Sequence, residues 1–152
     1  MKGWTTIGGS SQGMPQTLEQ TVPAKPEEMA ALVSFLESSL DATGCPPAIA
    51  TKLMVCLDEI ASNVMKYSGA RQLTVRLEYA KAIKTWRLSF IDDGTPWNPL
   101  THADPDITLS VEDRPIGGLG LLMVKKMMDD VCYAREGDQN ILRLRIALPS
   151  QP

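Results

Sequence analysis

Stretches with the two-residue alternation of β-strands occur mostly in adjacent pairs along this chain, and this arrangement limits the folds open to it. Strands are predicted at 17–22, 72–79, 85–91, 131–136 and 140–148. Apolar residues at helical spacing predict helices at 26–41, 46–66 and 118–128. Because strands joined by short links pair antiparallel, we expect an α/β (α+β) two-layer sandwich. Its five-stranded sheet is predicted to be mixed but mostly antiparallel, with three helices covering one face.

Composition is that of an ordinary globular domain and excludes several classes of partner. The chain has 152 residues, 43% of them hydrophobic, and a formal net charge of −3. Its basic residues are scattered, which argues against nucleic acid. Its longest apolar stretch is too short to cross a membrane, and no signal peptide is evident, so a cytoplasmic location is expected. Residues 1–15 are predicted to be a flexible leader and 16–150 one domain.

The cysteine and histidine content argues against transition-metal and histidine-triad chemistry. Cys45, Cys56 and Cys132 show no metal-type spacing, and His102 is the sole histidine. The cysteines are predicted to be buried thiols, and His102 a surface loop residue.

The second predicted helix carries a carboxylate and a carboxamide one turn apart. Glu59 and Asn63 are separated by four residues and therefore share a helix face. An amide oxygen and a water-orienting carboxylate suit Mg²⁺, and the glutamate alternatively suits a general base. The competing interpretation is a solvated polar face.

A second polar group follows the apolar strand at 85–91. Asp92 ends that strand, Gly94 permits a positive φ or a close ligand approach, and Pro96 restricts the loop. A buried carboxylate there can accept a hydrogen bond from an exocyclic amine such as that of adenine. The alternative is a simple acidic β-turn. Residues 93–116, which follow, form a long segment without periodicity, which is typical of a lid.

Glycines cluster before the third predicted helix. Gly117, Gly118 and Gly120 would let a phosphate approach backbone N–H groups at a helix start. The segment matches neither a Walker A loop nor a dinucleotide-binding fingerprint, and a hinge into a core helix is the alternative. Arg114 and Lys125 are the nearest candidates for neutralising a terminal phosphate, unless they are simply solvated charges.

Together, the three segments in this order resemble the GHKL ATP-binding superfamily, and most closely its anti-sigma factor serine/threonine kinases. Residues 57–67 (LDEIASNVMKY) are similar to the N box of that family. Residues 90–99 (FIDDGTPWNP) and 116–129 (IGGLGLLMVKKMMD) are similar to its two glycine boxes. The resemblance extends over roughly residues 16–148, with Trp97 in place of the usual Phe and Lys66 where some relatives carry His.

This resemblance implies a role for each matching residue. Asn63 would hold Mg²⁺ at the ATP phosphates, and Glu59 would activate a water or the substrate hydroxyl. Asp92 would accept from the adenine amine. The other implied ATP-binding residues are Gly94, Pro96, Gly117, Gly118, Leu119 and Gly120. Segment 100–116 would be the ATP lid.

The resemblance also implies partners. It predicts a serine/threonine protein kinase with ATP and Mg²⁺ as cofactors and an anti-anti-sigma (antagonist) protein as its client. A sigma factor is the second partner that it suggests. A homodimer, through the first helix or a sheet edge, is expected by the same analogy. The alternatives are a nucleotide-binding module without phosphotransfer, an ATPase domain of histidine-kinase type, and a sandwich that binds no nucleotide. The histidine-kinase alternative is disfavoured because no helix with a phosphoacceptor histidine precedes the domain.

Overall fold

The computed structural model describes residues 15–99 and 118–149, which hold all the elements discussed below. They are β1 (Gln16–Pro23), α1 (Met29–Ala42), α2 (Pro47–Tyr67), β2 (Gln72–Ala80), β3 (Thr85–Asp92), α3 (Gly118–Met127), β4 (Asp130–Glu136) and β5 (Gln139–Ala147). Each predicted strand and helix is confirmed to within a few residues. Most of the predicted leader and lid, with His102, Arg114 and Gly117, lies outside the described residues.

The five strands form one sheet in the order β1-β2-β3-β5-β4. The predicted two-layer fold is confirmed, with one difference: every pairing among the described strands is antiparallel, so the sheet is not mixed. Strands that run in the same direction are never neighbours, because β2 separates β1 from β3 and β5 separates β3 from β4. The register of β3 on β5 sets Asp92 directly opposite Asn140.

The helices cover one face of the sheet and form the core with it. Strand residues alternate, so that Leu73, Val75 and Leu77 of β2 point into this core. Trp86 of β3 is only 1% exposed. Its indole N–H needs a partner at that depth and donates to the Thr43 hydroxyl at 3.0 Å. This tryptophan ties the sheet to the end of α1.

The opposite face of the sheet carries charged pairs between neighbouring strands. Arg76 on β2 contacts Glu19 on β1 at 2.8 Å, and Arg87 on β3 contacts Glu78 on β2 at 2.7 Å. Each pair joins two strands that are hydrogen-bonded neighbours, as expected for side chains on one face of a pleated sheet. These pairs make the part of this face over β1, β2 and β3 polar, and the site described below lies on the helix-covered side.

The cysteines follow the prediction in part. Cys56 is buried, and burial raises the pKa of its thiol to about 12. Cys45 and Cys132 are only half-buried, because Cys45 follows the end of α1 and Cys132 lies on the edge strand β4. In the described parts of the chain, no helix is long and apolar enough to cross a membrane.

Candidate functional site

A cavity opens between α2, the end of β3 and the β4–β5 hairpin. Its volume is only about 30 Å³, well below the roughly 300–1,000 Å³ of small-molecule pockets, so a bound ligand would have to widen it. Asn63, Asp92 and Asn140 line it with polar side chains, as does Tyr133 with its hydroxyl. The rest of its wall is largely apolar and includes Ile60, Val64, Phe90, Leu121 and Leu142. Such a wall with a few polar groups suits a flat aromatic ligand.

Asp92 is the carboxylate of this cavity and is 6% exposed. Its Oδ1 accepts from the Gly94 backbone N–H at 2.8 Å and from Asn140 Nδ2 at 3.1 Å. Both of these bonds reach the same carboxylate oxygen, Oδ1. Burial raises the pKa of Asp92, and the bonds from Asn140 and Gly94 oppose that rise. The cavity therefore presents a buried, oriented acceptor, which is what recognition of an exocyclic amine requires.

Asn140 is the polar residue that sequence reasoning missed. Both protons of its Nδ2 are used, one by Asp92 and one by the Thr95 carbonyl at 2.8 Å. Its Oδ1 accepts from the Tyr133 hydroxyl at 2.5 Å. Because Asn140 is fully engaged with the protein, it fixes the Asp92 side chain rather than offering itself to a ligand. An asparagine inside the apolar strand 140–148 was the available signal, since asparagine is depleted in strands.

Arg135 joins the β4–β5 hairpin to the loop after β3. Its Nη1 donates to the Gly94 carbonyl at 2.8 Å and to Asn140 Oδ1 at 3.3 Å. The positive charge also lowers the pKa of Asp92, although less than burial raises it. Trp97, whose backbone N–H donates to Asn140 Oδ1 at 3.3 Å, lines the cavity with an aromatic side chain at the position where the family usually has Phe.

Glu59 and Asn63 meet on α2 at the rim of the cavity. Asn63 Nδ2 donates to Glu59 Oε2 at 2.8 Å, and Asn63 is 8% exposed. With its nitrogen engaged, the amide offers its oxygen, the atom that Mg²⁺ prefers. No group of three or more His, Cys, Asp or Glu side chains in the described residues could hold a metal on its own. The pair therefore fits a cation that takes its other ligands from phosphates and water.

Gly94 is required by packing rather than by a positive φ. Positive φ angles in the described glycines occur at Gly44, Gly69 and Gly137. A Cβ on Gly94 would instead lie 2.5 Å from the Ser68 carbonyl oxygen. Gly94 is not among the residues that line the cavity, and its close approach to the end of α2 accounts for the glycine. Its predicted contact with ATP stays a prediction.

We expect Gly94→Ala to destabilise the fold, because the backbone carbonyl of Ser68 cannot move without displacing the end of α2. The free energy of unfolding should fall by about 1–3 kcal/mol, as for overpacking of a tight site. Urea unfolding of the nucleotide-free protein measures it. Pro96→Ala, at an exposed position of the same loop, is the control and should cost less than about 1 kcal/mol. Equal stability of Gly94→Ala and the wild type would contradict this packing role.

The predicted phosphate ligands on α3 lie at opposite ends of the helix. α3 begins at Gly118, so Gly118, Leu119 and Gly120 form its first turn, and Leu121 lines the cavity. Lys125 lies in the last turn of α3, about 10 Å along the axis from Gly118. It is therefore not at the helix start expected to hold phosphate. Pro96 is exposed.

A buried carboxylate at a strand end, an amide–carboxylate pair on α2 and a helix start meet around this cavity, on a sheet covered by helices. The chain belongs to the family of histidine kinase-like ATPase domains, whose sequence profile matches residues 22–146. This confirms the resemblance drawn from the three motifs at the level of the family.

Individual relatives support the same assignment. The serine/threonine-protein kinase BtrW of Bordetella bronchiseptica is 24% identical over 94 residues, which span 60% of this chain and 66% of BtrW. The crystal structure of the RsbU and RsbW domains of Rv1364c from Mycobacterium tuberculosis matches 90% of this chain and 33% of that one, with 16% identity and a TM-score of 0.62. The SiaB–SiaC complex from Pseudomonas aeruginosa matches 86% of this chain and 89% of that one, with 15% identity and a TM-score of 0.55. The two structural matches show the shared fold.

Proposed function

We propose that this chain is a Mg²⁺- and ATP-dependent protein kinase that phosphorylates a serine or threonine of an antagonist protein, and so acts as an anti-sigma regulatory factor. The observation that carries the proposal is the 2.8 Å hydrogen bond between Asn63 and Glu59 at the rim of the Asp92 cavity. It sets a metal ligand and a candidate base side by side, where a nucleotide in the cavity would extend its phosphates.

Each group has a distinct part in this reaction. Asp92 Oδ2 accepts the adenine amine and Trp97 stands beside the base. Asn63 would hold the Mg²⁺ ion, which would neutralise charge on the phosphates. Glu59 takes the proton of the acceptor hydroxyl while the hydroxyl oxygen bonds to the γ-phosphorus. ADP leaves with the electrons of the broken P–O bond. The protein contributes mainly position and electrostatics.

The phosphates are assigned to the start of α3. Backbone N–H groups of Gly118, Leu119 and Gly120 belong to the first turn, where they lack partners within the helix. They also carry the positive end of the helix dipole. Gly117 and Arg114, which precede this turn in the sequence, stay predicted contributors.

The client is proposed from the relatives. BtrW is a serine/threonine-protein kinase, and SiaB was solved in complex with the protein SiaC. By analogy, the client here is an antagonist protein. The sigma factor, the homodimer and the cytoplasmic location remain predictions.

The experiment on Asn63 tests the metal role. We expect Asn63→Ala to remove the Mg²⁺-dependent part of ATP affinity, because Asn63 provides the amide oxygen proposed to bind the metal. Calorimetry with Mg²⁺ and with EDTA should show a difference of about tenfold or more in wild-type Kd and almost none in the variant.

Ser62→Ala, the neighbouring position on α2, is the control and should keep the wild-type response to Mg²⁺. If Asn63→Ala retained that response in full, the metal role would be wrong, whatever the variant's phosphotransfer activity.

A further inference from the structure

A groove runs between α1 and α2 on the outer side of the helical layer. Its floor is apolar and is formed by Pro47, Ala50, Met54 and Val55. Val55 is 38% exposed and is one of the large apolar side chains that the described structure leaves open to solvent. The proposed reaction does not use this groove.

One row of side chains on α2 connects the groove to the candidate catalytic pair. Thr51, Val55, Glu59 and Asn63 are spaced by four residues, so they form one ridge along the helix. Thr51 and Val55 line the groove, and Asn63 lines the nucleotide cavity. Each step along the ridge is about 6 Å, so Val55 lies one turn from Glu59. A protein that approaches Glu59 along this ridge also contacts Val55.

The groove has a definite electrostatic character. Glu37 of α1 and Asp58 of α2 line it, both side chains are exposed, and no lysine or arginine is among its lining residues. The α1 sequence (MAALVSFLESSLDA) also contains no basic residue. An apolar floor between two uncompensated carboxylates is complementary to a segment that combines an apolar side chain with basic ones.

We propose that this groove is the docking site for the phosphoacceptor and takes a segment with an apolar side chain flanked by lysine or arginine. This inference rests on the proposed kinase function and names the chemistry of its client. The apolar side chain packs on Val55, and the basic ones lie near Glu37 and Asp58. The bound segment thereby brings an adjacent serine or threonine to Glu59.

The test uses three synthetic peptides and the full chain. Each 15-residue peptide carries one serine and one leucine, with two lysines, two glutamines or two glutamates beside the leucine. Binding is measured by fluorescence anisotropy with Mg²⁺ and a non-hydrolysable ATP analogue. The variant is Glu37→Lys with Asp58→Lys, and its control is Glu27→Lys with Asp138→Lys, which makes the same charge change at exposed positions outside the groove.

We expect the lysine peptide to bind best, to lose at least about tenfold in affinity for the groove variant, and to bind the control like the wild type. Val55→Asp should weaken all three peptides, because it removes the apolar contact they share. Equal binding of the three peptides, equal losses in groove variant and control, or no binding of any peptide would overturn the docking site.

Calorimetry of ATP on the same proteins separates the two proposals. ATP binding without any peptide preference overturns only the docking site. Absence of ATP binding in the wild type overturns the proposed function itself.

Discussion

Asp92→Asn should lower ATP affinity by at least about 100-fold while leaving the protein folded. The asparagine oxygen can still accept from Gly94 and Asn140 at the position of Oδ1. Its nitrogen then replaces Oδ2 and points a donor at the adenine amine, itself a donor. Sites that leave buried polar groups unpaired discriminate by factors of this size or larger. Calorimetric titration with Mg²⁺-ATP measures the loss.

The adjacent aspartate provides a matched control for this change. Asp93 is exposed and accepts from the backbone N–H groups of Arg71 and Gln72, which lower its pKa. Asp93→Asn makes the same chemical change one residue away and on the other side of the backbone. It should keep ATP affinity within about threefold of the wild type. Equal losses for the two variants would show that Asp92 does not read the base.

Opposite trends with pH are expected for stability and for affinity. Burial raises the pKa of Asp92 in the folded state. The stabilisation linked to this carboxyl is therefore fully present at pH values below the ordinary pKa of aspartate. That contribution is lost as pH rises through the raised value. Nucleotide affinity should behave oppositely and fall on acidification through that range, because a protonated carboxyl is a poorer acceptor. Asp92→Asn should lose both trends, so the comparison isolates this group.

Glu59→Gln is the second change with a large expected effect, and it should separate binding from transfer. Glutamine keeps an oxygen to accept from Asn63 but cannot take a proton from a hydroxyl. We expect the transfer rate to fall by about 10²–10⁴-fold. ATP affinity should stay within about threefold, because Asn63 keeps its orientation. Radiolabel transfer from γ-labelled ATP to the client, beside calorimetry, gives both quantities.

The outcome for Glu59 decides between a kinase and a module that only binds nucleotide. Glu28→Gln, at the start of α1, is the control and should leave both quantities unchanged. Full transfer by Glu59→Gln would exclude the glutamate as base. If the wild type bound ATP but transferred nothing to any acceptor, nucleotide would serve to shape the partner surface instead.

Periodicity and turn chemistry predicted the element order, because both are local. They also located Glu59, Asn63 and Asp92, since the pair depends on helix spacing and the carboxylate on the end of a strand. The mixed sheet was wrong because strand order depends on how β5 inserts between β3 and β4, which no local pattern encodes.

Long-range packing also explains what the sequence missed at the site. Asn140 faces Asp92 through the β3–β5 register, across 48 residues of chain. The sequence suggested only that Gly94 is a loop residue with conformational freedom. Its contact with Ser68 cannot be predicted without knowing where the end of α2 lies in space. Such contacts depend on tertiary structure and become visible only when the sheet and helices are assembled.

Calorimetric titration of the wild-type protein with ATP, in Mg²⁺ and in EDTA, tests the central claim most directly. We expect binding at one site per chain, weakened about tenfold or more when Mg²⁺ is removed. ATP that does not bind, or that binds equally well without the metal, would contradict a site built on Asp92, Asn63 and Glu59.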